Sequence, residues 1–578
     1  MSLRIAVAAL GALAVTAPSA HAAVAVSPLP GTPDANPKTQ ISVLGVAPSR
    51  IVSVRAAGAR TGVHAGRLRA YSRGRGASFV PRVPFAAGER VAVRVRLKGR
   101  KRAVTTAFTV ARLGAIPPVL NLPQTQPDKL QHFVTQPALL PPVIVVDRGG
   151  SAADDPILMT PLPSPVIHPG NANTVSIAPV GPGGPMIVDG RGRLLWFRQL
   201  TMPDVAANLD VQRYRGKPVL TWWEGPVTTQ AFGLGKGVIA DSSYRTVAEV
   251  HTGNGYAMDI HELRLTAEGD ALVTVYSPVV VDGTPLIDAL IQRIDVPTGL
   301  VMWEWHALGH IPLKESYATP ENSAAYDAFH INSVFPMAGG RLLVSARDTA
   351  AIYAVDATSG RIAWRLGGKA STFRMGPGAR FWFQHDARPL PGDRVSLFDD
   401  EAGPPQKALA SRGLIVKLNH KQRTATVERS VTRVPDTSAQ SEGSTQLLDD
   451  GGVFVGFGAA GAMTRFSPTG KVTFDARMPD GDGSYRTISA PWRATPATRP
   501  AVVARRVDAA HVTVSVSWNG ATEVARWQVV SGVRPVATLA RTGFETTATV
   551  GSTATALAIR ALDARGRVLG TSAVVSVP

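Results

Sequence analysis

A turn signature recurs six times through the middle of this chain, at a spacing near 50 residues. IDVPTGLVMWEW and VDATSGRIAWRL carry Asp, Gly and Trp at identical offsets, VDGRGRLLWF is one residue tighter, and DSSYRTVAEV, NHKQRTATVE and SPTGKVTFD are weaker copies. The six copies are anchored 52, 54, 61, 63 and 48 residues apart, at Asp189, Asp241, Asp295, Asp356, Asn419 and Ser467. A period near 50 with about four strands in each repeat is typical of a propeller blade. We therefore predict a six-bladed β-propeller over residues 170–497, with the Trp of each turn packed between blades.

The sequence on either side of the repeats predicts two further β domains. Residues 23–115 alternate apolar and polar positions between Gly and Pro breaks, which favours a small β-sandwich. A Pro-rich stretch at 116–169 is typical of an extended linker. Residues 498–578 alternate again, as in an immunoglobulin-like or fibronectin-like sandwich. The predicted class is all-β, a propeller flanked by two sandwiches, since 578 residues exceed one ordinary core.

The N-terminus and the composition constrain where the protein works. Arg4, an apolar run at 5–15 and an Ala-His-Ala site ending at Ala22 predict a signal peptide at 1–22, cleaved near Ala22. The expected location is therefore outside the cell or in the cell envelope. No later segment is apolar enough to predict a membrane span, and the absence of Cys excludes disulfides and thiolate metal sites. The net charge is +19, but the arginines are dispersed, so we predict no nucleic-acid partner.

Three histidines occupy one setting within the repeats. His261 lies in DIHELRL, His330 in FHINSV and His385 in QHDAR, and each begins the stretch that precedes the turn of its own repeat. Equivalent inner strands of a propeller line a common channel, so we expect the three imidazoles to converge. Arg347 follows His330 by 17 residues, which lets a hairpin return it toward that site. Asp386, next to His385, is the predicted partner for one imidazole nitrogen.

Other interpretations of these residues remain open. Three histidines can hold zinc, but the sequence lacks a helical His pair and a carboxylate shell common to all three. A neighbouring arginine also disfavours a dication, so we predict no metal and no cofactor. AVDATSGRIAW fits the docking pattern of quinoprotein dehydrogenase propellers, although those have eight blades and bind calcium. A non-catalytic binding or adhesive propeller is the remaining alternative, and it would tolerate replacement of each histidine.

Several motifs resemble the bacterial arylsulfotransferase family, in its branch with added sandwich domains. They are DIHE, AFHINSV followed by SARDTAAIYAVDATSGRIAWRLGGK, and FQHDAR followed by SLFDD, where FDN is more usual. The likeness covers roughly residues 160–495. It implies a six-bladed propeller that moves a sulfuryl group from an aryl sulfate donor to a phenolic acceptor without a nucleotide sulfate. It also implies roles for the matching residues: His385 as nucleophile, His261, His330 and Arg347 as further catalytic residues, and Asn332 as a substrate-binding residue.

The chemistry of sulfuryl transfer suits these residue types. Like phosphoryl transfer, it passes through a loose in-line transition state with charge on the equatorial oxygens. A neutral imidazole can attack sulfur and carry the group covalently, which divides the reaction into two half-reactions. The expectation is a ping-pong transferase with a sulfohistidine at His385, and His261 or His330 as the base for the acceptor. Hydrolysis, with water as the acceptor, stays open.

Overall fold

Strands and tight turns form nearly all of the regular structure in the computed structural model of this protein. Short 3-10 helices lie at Pro48–Arg50, Leu313–Glu315 and Gly458–Ala460. Within the described residues, no helix has the length and apolar character needed to cross a membrane. The predicted signal peptide lies outside the described residues. The structure describes residues 24–120, 129–151, 154–163, 166–167, 175–176, 181–320, 325–402, 407–408 and 410–578.

Two four-stranded antiparallel sheets form the N-terminal region. Arg90–Leu97 shows why: its residues alternate strictly between exposed and buried, so Val91, Val93 and Val95 face the other sheet and pack with Phe79 and Phe108. In spatial order the first sheet contains Ala25–Ser27, Ile41–Leu44, Gly76–Pro81 and Gly66–Ala70, and the second contains Gly62–Val63, Ile51–Gly58, Arg90–Leu97 and Val104–Thr109.

Six antiparallel sheets, here numbered 1 to 6 in chain order, form the central region. Sheets 2, 3 and 4 each consist of four consecutive strands. Sheet 2 contains Asp204–Tyr214, Lys217–Pro226, Lys236–Ala240 and Thr246–Val250. Sheet 3 contains Leu263–Leu265, Ala271–Val281, Thr284–Asp295 and Leu300–His306, with Tyr326–Asp327 added in parallel. Sheet 4 contains Ile331–Met337, Arg341–Ala346, Ala351–Asp356 and Ile362–Gly367.

Sheets 5, 6 and 1 add strands from elsewhere in the chain. Sheet 5 contains His385–Leu390, Arg394–Asp399, Arg412–Asn419 and Thr424–Val431, with Arg374–Met375 at its outer edge. Sheet 6 contains Ser444–Leu447, Val453–Gly456, Ala462–Phe466 and Val472–Arg477, with Val145–Arg148 at its outer edge. Sheet 1 contains Ile488–Ser489, Ile157–Met159, Met186–Val188 and Leu194–Phe197. Two-residue strands Val166–Ile167 and Val175–Ser176 pair with each other.

The six turn anchors identified in the sequence occupy one structural position. Each lies in the turn that joins the last two strands of its sheet. At Asp356, the side-chain Oδ1 accepts the backbone N–H groups of Thr358 and Ser359, and the carbonyl accepts that of Gly360. Gly360 has φ +73° and lies against Leu29 and Trp305, so a side chain there would be strained and would clash. The turn tryptophans are buried in the predicted manner, between sheets 1 and 2 (Trp196), 3 and 4 (Trp303) and 4 and 5 (Trp364).

The segment predicted to be an extended linker, residues 116–169, is partly strand in the structure, because parts of it pair with strands of the central region. Ile157–Met159 lies in sheet 1 beside Ile488–Ser489, and Pro161–Pro163 pairs with Asp482–Ser484. Val145–Arg148 pairs with Val472–Arg477. Segments that follow sheet 6 thus complete sheet 1, and each sheet contacts the next, with sheet 6 in contact with sheet 1. The strands are two to six residues long, and proline is tolerated in short edge strands, which explains why composition suggested a linker.

The C-terminal region again contains two sheets around one apolar cluster. Val512, Val514 and Val516 point inward from His511–Ser517 and pack with Trp518 and Trp527, as their alternation predicted. One sheet contains Ala501–Arg506, His511–Ser517 and Glu545–Gly551. The other contains Arg534–Ala540, Arg526–Ser531, Ala556–Leu562 and Val568–Thr571, with Val575–Ser576 beside Ala556–Leu562.

Candidate active site

His261, His330 and His385 line one cavity of about 360 Å³. His261 lies just before the first strand of sheet 3, His330 directly precedes that of sheet 4, and His385 begins that of sheet 5. The three residues thus occupy nearly equivalent positions on consecutive sheets, and the structure brings them together as the repeat pattern predicted. The rest of the wall is mainly apolar and includes Leu120, Leu162, Met202, Val205, Val227 and Ile260.

His261 and His330 form a directly hydrogen-bonded pair. Their Nε2 atoms lie 3.1 Å apart. The Nδ1 of His261 lies 2.6 Å from Asp259 Oδ2, and that of His330 lies 2.7 Å from Asp327 Oδ2. Each Nδ1 therefore carries a hydrogen that it donates to a carboxylate. Two bare Nε2 lone pairs would repel at this distance, so the pair must share one additional proton and carries a positive charge.

The environments of the two rings place that proton on His330. Burial disfavours the charged form of both imidazoles. Burial dominates at His261 and lowers its pKa, despite the contact with Asp259. At His330 the carboxylates of Asp327 and Asp348 outweigh burial and raise the pKa. The opposite shifts in pKa favour protonation of His330 over His261, which makes His330 the better donor of the pair.

His385 is held as a neutral imidazole. Its Nδ1 lies 2.9 Å from Asp400 Oδ2, and its Nε2 accepts the backbone N–H of Glu442 at 3.2 Å. Because Nε2 accepts a hydrogen bond, the ring proton is on Nδ1 and is donated to Asp400. Burial, together with the positive charges of Arg347 and His330, lowers the pKa of His385 well below its usual range. A free-base imidazole with an oriented Nε2 lone pair is the form a nucleophile requires.

The prediction that Asp386 orients His385 is wrong. Asp386 is fully buried and instead binds Arg388 and Arg486, each at 2.8 Å. The strand is irregular at this point, with a register shift between His385 and Arg388 and φ +51° at Asp386, and the aspartate is turned toward the two arginines. Asp400 reaches it from the neighbouring strand, since His385 pairs in register with Phe398 and Asp400 follows two residues later.

A carboxylate lies at Nδ1 of all three histidines, which the sequence analysis had not found. The partners are Asp259, Asp327 and Asp400. They lie two residues before, three residues before and 15 residues after their histidines. No common spacing links them, so no sequence pattern could have indicated the shared arrangement. A carboxylate at Nδ1 fixes the tautomer of each ring and directs its Nε2 toward the cavity.

Asn332 and Arg347 lie in the supporting wall rather than among the residues that line the cavity. The amide nitrogen of Asn332 donates to the carbonyl of Gln384 at 2.7 Å, and the residue is fully buried. This donor is already engaged, so Asn332 positions the segment that carries His385, in contrast to the predicted substrate contact. Arg347 donates to Asp348 at 2.7 Å and to the carbonyl of Gln440 at 3.2 Å. Its charge acts on His385 from behind the cavity surface.

Glu442 is a cavity residue that no sequence motif indicated. Its backbone has φ 68°, a conformation rarely adopted by glutamate, and its N–H group caps the Nε2 of His385. Its Oε2 is buried and receives no hydrogen bond from the described residues. Burial raises the pKa of its carboxyl to about 7. A carboxyl that titrates near neutral pH beside the nucleophile is suited to donate and accept a proton.

Arg486 holds the strands beneath the cavity together. Its guanidinium is buried between Glu262 at 3.2 Å and Asp386 at 2.8 Å. It also donates to the carbonyl oxygens of His261 and Asn332 at 3.3 Å and 3.0 Å. One side chain therefore ties together the starts of the inner strands of sheets 3, 4 and 5, which carry the three histidines.

A metal is a poor fit to the three histidines. Asp327, His330 and Asp348 are close enough to share an ion, but Asp348 is already paired with Arg347 at 2.7 Å. The Nε2 atoms of His261 and His330 face each other directly, and an N–H group points at that of His385. A cation at any of these nitrogens would displace an existing hydrogen bond. The arrangement is that of a buried imidazole beside a hydrogen-bonded pair of imidazoles, under an apolar wall.

Known structures share only a weak likeness with this chain. A protein of unknown function from Bacteroides caccae is 12% identical with a TM-score of 0.34, covering 58% of this chain and 98% of that one. A virginiamycin B lyase from Staphylococcus aureus is 9% identical with a TM-score of 0.26, covering 56% and 84%. A quinonprotein alcohol dehydrogenase-like protein from Bacteroides thetaiotaomicron is 9% identical with a TM-score of 0.23, covering 90% and 96%. These scores support no conclusion about function, and no curated protein matches the sequence.

A family model gives the clearer result. The model described as arylsulfotransferase (ASST) matches residues 210–478. The matched segment runs from sheet 2 to sheet 6 and contains His261, His330 and His385 with their three carboxylate partners. Over these residues the match supports membership of the arylsulfotransferase family.

Proposed function

We propose that this protein is an exported aryl-sulfate sulfotransferase that carries the sulfuryl group on His385. The single observation that supports it best is the cavity itself. The imidazole of His385, whose Nε2 accepts the backbone N–H of Glu442, the hydrogen-bonded pair of His261 and His330, and an apolar wall lie around about 360 Å³. The apolar residues suit an aryl ring, the imidazolium suits the anionic sulfate, and Nε2 suits nucleophilic attack on sulfur.

For the fold, we propose a six-bladed β-propeller over residues 170–497, completed by Val145–Arg148 and Ile157–Met159 from the predicted linker, between two sandwich domains at 23–115 and 498–578. Six sheets that follow each other in the chain, with sheet 6 in contact with sheet 1, support it. The position of the site is consistent with this proposal, because inner strands of a propeller begin around its central channel.

In the first half-reaction, His385 Nε2 attacks sulfur and an N–S bond forms. The S–O bond to the aryl group breaks, and its electron pair leaves on the phenolate oxygen. The Glu442 N–H group that caps Nε2 in the free protein is then available to a sulfuryl oxygen. One preorganised donor of this kind contributes about 3–4 kcal/mol of transition-state stabilisation. Both ring nitrogens of His330 are engaged, with Asp327 and His261, so His330 acts on the developing negative charge through its electrostatic field.

In the second half-reaction, the oxygen of an acceptor phenol attacks sulfur and the N–S bond breaks. The electron pair returns to His385 Nε2, and the phenol proton must be taken up by a base. The sequence analysis suggested His261 or His330 for this role. Both are occupied, His330 by its extra proton and His261 by the hydrogen bond from His330, so we assign the proton to Glu442. In the first half-reaction the same carboxyl protonates poor leaving phenolates.

Replacing Glu442 with glutamine should slow transfer only where a proton is needed. With donors of unactivated phenols, we expect a loss of about 100-fold, the usual contribution of general acid–base catalysis. With nitrophenyl sulfate, whose leaving group needs no acid, the first half-reaction should change little. The wild-type rate with unactivated donors should fall as the pH rises through about 7, where the Glu442 carboxyl loses its proton.

The measurement is a pH profile for a series of aryl sulfates with increasing phenol pKa, in wild type, Glu442→Gln and Glu428→Gln. Glu428 is a partly exposed glutamate outside the cavity and serves as the control. The pH dependence should disappear in Glu442→Gln alone. An equal loss across all donors would contradict the assignment of this proton to Glu442.

Two replacements of Asp400 should separate hydrogen bonding from charge. Asparagine keeps an oxygen that can accept the Nδ1 hydrogen of His385, but it lacks the negative charge and its N–H can favour the other tautomer. We therefore expect Asp400→Asn to lose activity, though less than a variant with no acceptor. Leucine cannot accept a hydrogen bond. In Asp400→Leu the Nδ1-protonated tautomer of His385 therefore loses its partner, and we expect kcat to decrease about 1000-fold or more. Steady-state kinetics with nitrophenyl sulfate and excess phenol would measure both. Equal losses in the two variants would show that the charge of Asp400 matters more than its position.

The proposed function is tested by release of nitrophenol from nitrophenyl sulfate, with and without an added phenol. We expect release to depend strongly on the acceptor, with one sulfated phenol formed for each nitrophenol released. Release that is independent of the acceptor would make the protein a hydrolase. An absence of release across a panel of phenols would favour the binding or adhesive alternative. An absorbance scan for a bound quinone addresses the quinoprotein alternative.

Export belongs to the proposal as well, with cleavage after Ala22. The n-region, apolar run and Ala-x-Ala site in the sequence support it. N-terminal sequencing of the protein from the culture medium or cell envelope should begin at Ala23. Recovery of the full-length chain from the cytoplasm would contradict it.

A further inference from the structure

A second buried cluster of acidic groups and a histidine lies far from the proposed active site, where the N-terminal sheets meet sheet 3. Asp34 comes from the loop between the first two strands, next to Ala35, which bridges to Val110. Asp288 lies within Thr284–Asp295, and His306 ends Leu300–His306. All three residues are buried, at 3%, 1% and 1% exposure. One oxygen of each aspartate and a ring nitrogen of His306 lie within 4.8 Å of one another.

His306 is oriented like a metal ligand. Its Nδ1 lies 2.9 Å from Asp288 Oδ2 and 2.9 Å from Asp34 Oδ1. Its Nε2 lies 3.0 Å from Glu304 Oε1. Metal-binding histidines almost always donate their second ring N–H to a carboxylate, which fixes the tautomer and orients the ring.

The groups behind this cluster are also held in place. Glu304 accepts hydrogen bonds from the side-chain amides of Asn254 at 2.8 Å and Gln292 at 2.6 Å. The second oxygen of Asp288 accepts the backbone N–H of Leu308 at 2.8 Å. Each of these outer contacts uses an atom that points away from the shared centre. The atoms that point toward the shared centre contact one another.

Asp34 is the member that ordinary hydrogen bonding leaves unsatisfied. The Nδ1 hydrogen of His306 is directed to Asp288, and neither oxygen of Asp34 receives a properly aligned hydrogen bond from the described residues. A buried carboxylate without a donor costs several kcal/mol. The hydroxyl of Tyr256 is also buried without a described partner, and it is close enough for Asp34, Asp288 and Glu304 to raise the pKa of its phenol.

The excess of acidic groups in this cluster also favours a bound cation. Three acidic side chains, those of Asp34, Asp288 and Glu304, surround the one imidazole of His306, so acidic groups outnumber basic groups in this buried cluster. A cation bound by Asp34, Asp288 and His306 would compensate the negative charge of the cluster and would give the oxygens of Asp34 a partner.

We infer that Asp34, Asp288 and His306 bind a divalent first-row transition cation, which joins the N-terminal sheets to sheet 3. The separations of 2.9 Å between Nδ1 and the two oxygens suit neighbouring ligands of an octahedral ion. At metal–ligand distances of about 2.1 Å such ligands lie about 3.0 Å apart. An imidazole ligand favours ions such as Mn²⁺ or Zn²⁺ over Mg²⁺ or Ca²⁺. On binding, His306 Nδ1 releases its proton to solvent and its lone pair binds the cation.

The cation would strengthen an interface that already exists. The hydroxyls of Ser42 and Tyr71 donate to the carbonyl of Val301 at 2.6 Å and 3.0 Å, and Arg75 pairs with Asp270 at 2.6 Å. These contacts come from the same two regions as the proposed ligands. Since Asp34 and His306 are 272 residues apart (306 − 34), a cation between them would close a long loop of the chain.

The test measures metal content and thermal stability of the mature protein, produced without a histidine tag. We expect about one equivalent of a transition metal per chain by plasma mass spectrometry, or after chelation and dialysis, binding of one Mn²⁺ or Zn²⁺ by calorimetry. Adding either ion to the chelated protein should raise Tm by roughly 2–4 °C or more. Mg²⁺ and Ca²⁺ at the same concentration should have a much smaller effect.

Substitutions at the proposed ligands would show where the ion binds. Asp34→Asn and His306→Gln should abolish the metal-dependent rise in Tm, and Glu304→Gln should weaken binding about 10- to 100-fold, as expected for a residue behind a ligand. Asp508→Asn is the matched control, because Asp508 contacts His511 at 2.9 Å in an exposed His–Asp pair. If wild type binds none of these ions, or if Asp34→Asn responds to them as wild type does, the inference is wrong. The wild-type measurement decides even if a variant fails to fold.

Discussion

Replacing His385 with alanine is expected to reduce sulfuryl transfer by at least about 10⁴-fold, because the variant lacks the atom that forms the covalent bond to sulfur. Among the described histidines of the cavity, His261 and His330 are less suited to this role, because their Nε2 atoms lie 3.1 Å from each other and the raised pKa of His330 favours its protonated form. The remaining rate should reflect binding in the apolar cavity and the electrostatic environment of the site. The assay is release of nitrophenol with a saturating phenol acceptor.

The same experiment should detect the intermediate. Wild type incubated with an aryl sulfate without acceptor should gain one sulfuryl group on the peptide that contains His385, and this group should disappear when phenol is added. His420→Ala is the control, because His420 is an exposed histidine of the same region, 43% exposed. A His385→Ala protein that still transfers at the rate of the control would overturn the assignment. A sulfuryl group found on His261 or His330 would move the nucleophile to that residue.

Replacing Arg486 with methionine is expected to have the largest effect on stability. The substitution keeps an unbranched side chain but leaves Glu262 and Asp386 buried without their shared cation. Removing one partner of a buried ion pair costs about 3–5 kcal/mol, because the remaining charge stays desolvated. The carbonyl groups of His261 and Asn332 would lose a donor as well.

Denaturant unfolding followed by tryptophan fluorescence would measure this loss. The triple variant Arg486→Met with Glu262→Gln and Asp386→Asn should recover much of the stability. It removes the two buried carboxylate charges that lose their partner in the single variant. Arg412→Met, which leaves Asp399 without its partner at the rim of sheet 5, provides a second buried ion pair for comparison. A wild-type midpoint for Arg486→Met would show that the network contributes nothing to folding.

The repeat made much of the central fold predictable. Each turn needs an Asp or a similar residue to accept backbone N–H groups and a Gly at positive φ, so its sequence is local and recurs. Sheet 1 was not predictable in the same way. Its strands are two to four residues long, and Ile157–Met159 pairs with Ile488–Ser489 across more than 300 residues. Such short segments carry no periodicity, and the Pro-rich stretch around them looked like a linker.

The same distinction between repeated and unrepeated sequence applies to the residues of the site. Positions that repeat with the strands, His261, His330 and His385, could be placed together from the sequence. Their carboxylate partners could not, because each lies at a different offset and reaches its imidazole through a loop or a neighbouring strand. The adjacent Asp386 was the obvious candidate but is turned toward two arginines instead. Glu442 and Arg486 come from segments after sheet 5 and after sheet 6, and no motif marks them.

The sequence by itself therefore determined the β class, the turns at the ends of the sheets and the three imidazoles at the start of consecutive inner strands. All of these follow from local chemistry repeated at a regular spacing. Only the tertiary structure decided which carboxyl group lies at each imidazole, the burial of the Glu442 carboxyl beside the cavity and the meeting of Asp34 with Asp288 and His306. These depend on burial and on contacts between distant parts of the chain, and both arise only when the sheets pack together.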